Sequence, residues 1–398
     1  MRLKTITSLR SLRGKRVLLR VDFNVPQEAD GQVIAAGDER IRRTLPTIRH
    51  LTSRGAIVVL ASHLGRPKGA VELKLSLAPV ARYLSDLLKQ PVGMLGSARG
   101  EPNAGPLHTA KPGSVWMLEN LRFDSGEEAN EESYAQALAR WGDLYVNDAF
   151  GNCHRSHASM VGAPKLLPAY AGLLVAEEVK VLSALLLKPR RPLVAVIGGV
   201  KLSSKLAVIE RFLKLADHVL LGGNLANTVL AAAGVAVGRS PVEATLLPTL
   251  RQLDLTAVKL HLPVDVVAAT ATDGSAPPQT KAVANVSADE YILDVGPDTA
   301  ALFDSVLREA ATVVWSGPMG KFELPQFAAA TTAVAHALAH TRARVVIGGG
   351  ETVEACRSYL PKPAEEYKNL YFSTGGGAML QFLERGTLPA LEPLMVAK

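Results

Sequence analysis

The sequence predicts an α/β protein of two domains, each a mostly parallel sheet covered by helices. Three observations carry this. Short β-branched runs alternate with helical patterns along the whole chain, nearly every run ends in Gly, Asn, Asp, His or Ser, and 398 residues exceed what one hydrophobic core usually supports. The runs are RVLLRV near 16, AIVVLAS near 56, VWMLEN near 115 and DLYVND near 143, then PLVAVIGG near 192, HVLLGG near 218, VKLHLPVD near 258, TVVWSG near 312 and RVVIGGG near 344. Parallel strands need a crossover to return the chain, so a helix between successive runs is the mark of parallel pairing. Ligands of such sheets gather at the carboxyl ends of strands, which makes the polar ends of these runs the place to look for chemistry.

A helical pattern from about Leu173 to Leu187 stops at Lys188-Pro189-Arg190-Arg191-Pro192, where two prolines block helix continuation. The domain junction is expected there. This divides the chain into a first domain over 1–172, a connecting helix over 173–188, a second domain over 189–378 and a tail over 379–398. No fixed-period repeat or low-complexity tract interrupts the pattern.

Hydrophobic residues make up 48% and charged residues 20%, ample core material for a globular chain. The formal net charge is +7, from 44 Lys and Arg against 37 Asp and Glu, and the basic residues are scattered, the densest cluster being Arg40, Arg42, Arg43 and Arg49. With no basic run and no aromatic-basic pattern for stacking bases, a small anionic substrate is expected rather than nucleic acid. Two cysteines, Cys153 and Cys356, are too few for a disulfide framework or zinc site, so a reducing cytoplasm is the expected compartment. The basic N-terminus runs straight into a strand-like segment at Arg16, and no apolar run approaches the ~18 residues needed to cross a bilayer.

In the first half, run ends deliver Asp22 and Asn24 in VDFNVP, His63 and Arg66 in SHLGRP, Arg122 in LENLRF, and His154, Arg155 and His157 in DAFGNCHRSH, while Arg40 opens the next helix. Guanidiniums converging at one sheet end bind carboxylate and phosphate with fixed bidentate geometry, and Asp22 with Asn24 can hold a hydroxyl. The pattern predicts a site for a phosphorylated hydroxy acid. A single Arg is more often a solvated surface residue; what singles out Arg66 and Arg122 is their place in loops directly after apolar runs. His154 and His157 read equally well as residues that cap loop backbone.

The second half carries four glycine clusters after apolar runs: Gly198-Gly199, Gly222-Gly223, Gly348-Gly349-Gly350 and Gly375-Gly376-Gly377. Glycine lets backbone amides approach phosphate oxygens, and a helix that starts there adds the positive end of its dipole. None has the form of a known nucleotide fingerprint, since GPMGK at Gly317 to Lys321 has its glycines too close and is followed by Phe322, and GxGxxG, HRD and DFG are missing. Lys201 and Lys205, four apart, are expected on one helical face, where an ammonium would neutralise a phosphoryl group in transit.

Together VDFNVP, SHLGRP, LENLRF, VNDAFG with HRSH, IGGVKLSSK, LPVD, GPMGKFE, IGGGET and STGGGA resemble the phosphoglycerate kinase family in nine segments, in the family's order, over almost the entire chain. The resemblance implies two Rossmann-like domains, with the tail packing back on the first. It also implies reversible transfer of the acyl phosphate of 1,3-bisphosphoglycerate to ADP, giving 3-phosphoglycerate and ATP, with Mg2+ accompanying the nucleotide. It assigns Asp22, Phe23, Asn24, Arg40, His63, Leu64, Gly65, Arg66, Arg122 and Arg155 to phosphoglycerate in the first domain. Gly199, Lys201, Lys205, Gly222, Gly223, Pro318, Glu323, Gly349, Gly350, Glu351 and Thr352 go to the nucleotide in the second. Arg40, Lys205, Gly350 and Gly376 are implied to act on the migrating group, and Glu351 on the metal.

Hinge closure would bring the substrates in line and exclude water, and a monomer with no nucleic-acid or membrane partner is expected. Four positions depart from the family pattern: Glu351 stands where Asp is usual, Ser316 where Asn precedes Gly-Pro, Asn224 for a glycine, and Lys321 for a small apolar residue. The alternative these departures raise is a non-catalytic relative that binds phosphoglycerate beside an altered nucleotide site. A nicotinamide dehydrogenase is disfavoured by the missing fingerprint.

Overall fold

In the first half of the chain the apolar runs become strands β1 (Arg16–Arg20), β2 (Ile57–Ala61), β3 (Val92–Met94), β4 (Val115–Met117), β5 (Leu144–Asn147) and β6 (Ala169–Ala171). They form one sheet in the order β3-β4-β2-β1-β5-β6, every pair parallel. Helices α1 (Glu39–Ser53), α2 (Ala78–Leu88), α3 (Ser125–Ala129), α4 (Glu132–Ala139) and α5 (Ala163–Leu166) accompany it. Strands β1, β2 and β5 are almost wholly buried, as β-branched residues without polar alternation require when helices cover both faces. Their core joins Val17, Leu19, Val58, Leu60 and Val146 to Ile41, Ile48, Val80 and Leu84 of the helices.

The computed structural model describes residues 2–102 and 105–396 and separates the chain into two units, Met1–Ser183 with Arg385–Lys398, and Ala184–Glu384. The helical pattern read from the sequence is α6 (Leu173–Leu187), and the unit boundary falls within it. In the first unit the C-terminal segment lies beside the N-terminus and β6: Lys4 N donates to Leu394 O at 2.8 Å, Val396 N to Arg2 O at 3.0 Å, and Leu391 and Leu394 are fully buried.

The second unit holds β7 (Leu193–Ile197), α7 (Leu206–Leu215), β8 (His218–Leu221), α8 (Gly223–Ala232), α9 (Leu247–Leu250) and β9 (Leu260–His261). It continues through β10 (Asp265–Ala269), β11 (Gln279–Ala282), β12 (Tyr291–Val295), α10 (Pro297–Glu309), β13 (Thr312–Ser316), α11 (Ala329–His340), β14 (Arg344–Ile347), α12 (Gly350–Tyr359), β15 (Leu370–Phe372) and α13 (Gly376–Arg385). Its parallel sheet has the order β15-β14-β13-β7-β8-β9. The VKLHLPVD run does not make one strand, for it breaks at Pro263 into short β9 and then β10, the centre of an antiparallel sheet β11-β10-β12. Proline has no N–H to give a ladder, so a run interrupted by it cannot continue in the parallel sheet.

In both parallel sheets the chain leaves the first strand in one direction and later returns on its other side, between β1 and β5 in one and between β7 and β13 in the other. Such reversals open a crevice at the carboxyl ends of the central strands, which fixes where each unit can hold a ligand. Among the described residues no helix is long and apolar enough to cross a membrane.

Candidate functional site

At the carboxyl end of β1 the chain runs through Asp22, Phe23 and Asn24, beside the Ser62 to Arg66 segment that follows β2. The two loops are tied together: Phe23 N donates to Ser62 Oγ at 2.9 Å and Gly65 N to Asn24 Oδ1 at 2.9 Å. Gly65 turns at φ +62°, and a Cβ there would fall 2.7 Å from Leu75. Asn120 clamps Leu64 from both sides, its Oδ1 accepting from Leu64 N at 3.2 Å and its Nδ2 donating to Leu64 O at 2.7 Å. Leu64 and Gly65 therefore shape the loop, while the ligand-facing chemistry falls to their charged neighbours.

Arg40, in the first turn of α1, lies 3.2 Å from Asp22 Oδ2 and donates to Asn24 O at 3.0 Å. Arg122 is 3% exposed, donates from Nη1 to Gly65 O at 2.7 Å, and lies 3.0 Å from Glu128 Oε1 through Nε. Burial of His63 pushes its pKa well below the ordinary value, and the charges of Arg20, Arg122, Arg155 and Arg40 push it further. One imidazole thus feels four guanidiniums. Burial and Arg155 likewise lower His154. Buried His154 Nδ1 and Arg155 Nε find no hydrogen-bond partner among the described residues, although such donors are normally satisfied. Arg66 is exposed and makes no hydrogen bond or ion pair among the described residues. The structure thus gathers Asp22, Asn24, Arg40, His63, Arg122 and Arg155 at one sheet end and leaves Arg66 at its rim.

The sequence did not single out Arg20, the last residue of β1, which is 1% exposed and lies 3.4 Å through Nη2 from His63 Nδ1. An Arg inside an apolar strand is a signal that could have found it, because a buried cation needs a built set of partners.

In the second unit Lys205 is the N-cap of α7 and Lys201 lies in the exposed turn before it, so the two do not share a helical face. The turn is held instead by Glu243, whose carboxylate accepts from Leu202 N and from Ser203 N. Lys205 Nζ donates to Gly198 O at 2.6 Å and Ser316 O at 3.0 Å, between the two central strands of the sheet. Burial lowers its pKa to about 8, against a smaller upward pull from Glu351.

The glycines around Lys205 pack on one another. Gly317, at φ +98°, has Gly198 O 2.1 Å from where its Cβ would be and Lys205 Nζ 2.4 Å away. The neighbouring elements continue the cluster: Gly317 N donates to Thr352 Oγ1 at 2.7 Å, Gly349 caps α12 at φ +105°, and a Cβ at Gly376 would fall 3.1 Å from Gly349 Cα. A Cβ at Gly350 would meet nothing within 4 Å, so packing does not require glycine there. α12 has no side-chain cap, which leaves its first-turn amides for an anion, whereas in α8, capped by Gly222, Gly223 N donates to Met319 O at 2.7 Å and Leu225 N to Gly199 O at 3.0 Å.

Beside this cluster is a cavity of about 290 Å³ lined by Gly199, Gly223, Pro318, Glu323 and Glu351 among others, with Asn224, Asn227, Tyr291, Leu293, Asp294 and Lys321 also in its wall. Gly222, Lys201, Lys205, Gly349, Gly350 and Thr352 are not part of the lining. The wall from β12 was not anticipated, since the sequence reading took no strand there. Two of the unusual positions hold this wall: Asn224 Oδ1 accepts from Asn227 Nδ2 at 2.8 Å, and Lys321 Nζ donates to Thr272 O at 2.6 Å. A third, buried Ser316, offers its carbonyl to Lys205.

Among the described residues no three His, Cys, Asp or Glu side chains gather as a metal cage. Glu351 is a single exposed carboxylate on the first turn of α12. That donor set suits Mg2+ carried by phosphates, because Mg2+ keeps several waters and takes only one or two carboxylates from a protein.

Two units of parallel sheet, one offering buried guanidiniums and the other an ammonium among glycine turns, define a class of protein that handles small phosphorylated anions. A family model described as phosphoglycerate kinase matches residues 6–386. Relatives named phosphoglycerate kinase include that of Pelotomaculum thermopropionicum, 46% identical with 98% of this chain and 99% of the relative covered, and that of Acaryochloris marina, 46% identical with 98% of each covered. The solved structure of phosphoglycerate kinase from Coxiella burnetii matches with a TM-score of 0.87 at 38% identity, covering 98% of both chains. That from Pyrococcus horikoshii matches with 0.84 at 32% identity, again covering 98% of both. The chain belongs to the phosphoglycerate kinase family, a family of phosphotransferases, and these relatives lend nothing to the non-catalytic reading.

Proposed function

We propose that the chain transfers the acyl phosphate of 1,3-bisphosphoglycerate to ADP, and in reverse phosphorylates 3-phosphoglycerate from ATP. The observation that carries this reading is that each unit has donors without protein partners at the reversal point of its parallel sheet. Residues 1–172 hold the phosphoglycerate, 189–378 hold the nucleotide, the 173–188 helix connects them, and the 379–398 tail packs back on the first domain. Asp22 and Asn24 take the hydroxyl, while Arg40, His63, Arg66, Arg122 and Arg155 take the phosphate and carboxylate, since planar guanidinium forks match both groups.

The nucleotide's base and ribose occupy the cavity against Pro318, Gly223 and Glu323. Its phosphates lie against Gly199, whose own amide donates to Pro318 O at 2.8 Å, and meet Lys201, the amides of Gly349, Gly350 and Gly376 and the ammonium of Lys205. Phosphoryl transfer passes through a loose transition state with charge spread over the equatorial oxygens, so the protein's work is alignment and charge neutralisation. Lys205, already tethered to Gly198 O and Ser316 O, has one N–H left for a migrating group. Mg2+ held with the nucleotide by Glu351 would supply further neutralisation of phosphate charge. Closure about the connecting helix would exclude water from an acyl phosphate that otherwise hydrolyses.

A cytoplasmic monomer fits these assignments. The test is a coupled assay with ADP, Mg2+ and 1,3-bisphosphoglycerate. Turnover is expected, and normal phosphoglycerate binding by calorimetry without turnover would overturn the reading in favour of a binding protein.

A further inference from the structure

Behind His63 runs a buried chain that touches no ligand position. His63 Nδ1 faces Arg20 Nη2 at 3.4 Å, Arg20 Nε donates to Ser159 Oγ at 2.8 Å, and Ser159 Oγ donates to Glu127 Oε1 at 2.6 Å. Ser159 N also donates to Glu127 Oε2 at 2.9 Å. Exposure is 3% at His63, 1% at Arg20, 2% at Ser159 and 0% at Glu127, so solvent replaces no member of the chain.

The direction of every bond follows from chemistry. A guanidinium only donates, so Ser159 Oγ must accept from Arg20 and spend its own proton on Glu127. By the same rule His63 Nδ1 can only accept from Arg20, and the single proton of the neutral ring then sits on Nε2. Nε2 has no hydrogen-bond partner among the described residues, and the ring stands amid Arg122, Arg155 and Arg40.

Local structure holds the far end of this chain as firmly as the near end. Asp124 caps α3 by accepting from Gly126 N at 2.8 Å, which orients the short helix carrying Glu127. Ser159 lies in the π-helical turn Ala158–Gly162, and Tyr145 of β5 donates to Ser159 O at 2.8 Å. Arg20 and Ala61 are paired in the parallel ladder of β1 and β2, which sets Arg20 beside the segment that carries His63. Burial alone would raise the Glu127 carboxyl, but the His157 contact, the Arg20 charge and the two Ser159 hydrogen bonds outweigh it and hold it below the ordinary range. The chain therefore ends on a carboxylate, which neutralises a cation that could not otherwise be buried.

We propose that Glu127, acting through Ser159 and Arg20, is a positioning residue that fixes His63 as an Nε2–H donor to the phosphoglycerate. The proposal deepens the functional reading above and rests on it for the identity of the anion. A stabilising ion pair alone would not require the hydroxyl of Ser159 in between, since Glu127 and Arg20 would attract each other without it.

The experiment is Ser159→Ala in the full chain, read by the nitrogen shifts of His63 and by steady-state kinetics. The wild type is expected to show one neutral tautomer at His63 and Ser159→Ala a mixture. In Ser159→Ala the KM for 3-phosphoglycerate should rise by about threefold to tenfold, the scale of one neutral hydrogen bond, with kcat and the nucleotide KM within about twofold of wild type. Glu127→Gln should produce a larger rise of the same kind, and if it does not fold Ser159→Ala decides alone. Unchanged shifts or an unchanged KM in folded Ser159→Ala overturns the proposal, whether or not Tm falls. Should the wild type bind no 3-phosphoglycerate by calorimetry, the identity of the anion fails, and the His63 shifts still decide whether the buried chain sets the tautomer.

Discussion

Under the proposed assignment the two units would meet a similar chemical demand, holding phosphate, with different materials. The first builds its site from side chains: Arg40 in the first turn of α1, Arg122 and Arg155 in segments after β4 and β5, and His63 in the loop after β2 that Asn24 and Asn120 clamp. The second builds from backbone, with Gly317 so close to Gly198 O that a side chain would collide, Gly349 and Gly376 in tight contact with their neighbours, and one ammonium beside Gly317. Guanidiniums distinguish carboxylate and phosphate by fork geometry, which suits an acid defined by where its charged groups lie. Amides around a glycine turn follow a phosphate chain regardless of what it carries, which suits a nucleotide whose base is held separately by a cavity.

This contrast predicts unequal sensitivity to mutation. Lys205 is tethered between the central strands of its sheet, and backbone amides cannot replace its full charge. Lys205→Ala should lower kcat by about 10²- to 10⁵-fold, the scale of groups that contact a phosphoryl transition state, and leave phosphoglycerate affinity little changed by calorimetry. Near-normal turnover in that variant would remove the ammonium from the reaction. In the side-chain site the cost is shared among several cations, so Arg66→Ala should raise the KM for phosphoglycerate by about 10- to 100-fold, one charge-assisted hydrogen bond, while its exposure predicts an unchanged Tm. Unchanged affinity would place Arg66 outside the site.

The same contrast decided what the sequence could disclose. Arg122 and His63 were legible because residue type and position after an apolar run already specify their chemistry. The glycines were legible as a group, but their individual reasons were not. Gly198 and Gly317 are small because the loops after β7 and β13 pack on each other, whereas Gly350 faces open space. Lys201 and Lys205 were misread as one helical face because spacing of four says nothing about where a helix begins, and Glu243, 38 residues after Lys205, fixes a turn there instead. The cavity wall from β12 was missed because β12 pairs antiparallel with β10 across the intervening β11, a small separate sheet that alternation of strand and helix does not predict. Local pattern gave the parallel cores; contacts between distant segments gave the rest.

Charge at Lys205 also gives the backbone site an alkaline pH dependence that guanidiniums do not supply. Burial lowers Lys205 to about 8, so the cation is lost from the free enzyme as pH rises through that value. Because kcat/KM reports groups in the free enzyme, it should fall about fivefold between pH 8 and 9 and about tenfold per pH unit above that. Bound phosphates favour the cation, so kcat at saturating nucleotide should hold its value to higher pH. In stability the sign is opposite to that of an ion-paired lysine. The unfolded chain binds this proton more tightly, so the penalty for burying the charge is present below pH 8 and lifts as pH rises toward the unfolded value. A kcat/KM profile flat to pH 10 would separate Lys205 from the limb.

The smallest effect is expected at Glu351, where the two ways of building meet. Its carboxylate is exposed on the first turn of α12 and makes no hydrogen bond or ion pair among the described residues, so nothing in the protein fixes its aim. Glu351→Asp draws the carboxylate back by one methylene, and an unrestrained side chain on a helix end can re-aim to compensate. The Mg2+ concentration for half-maximal rate should move by less than about threefold, because Mg2+ leans mainly on phosphates and water. Glu351→Gln, which keeps the length and removes the charge, should raise that concentration more than Glu351→Asp does. If shortening proves worse than neutralising, the position of this carboxylate matters more than its charge, and the second unit would depend on side-chain geometry as the first does.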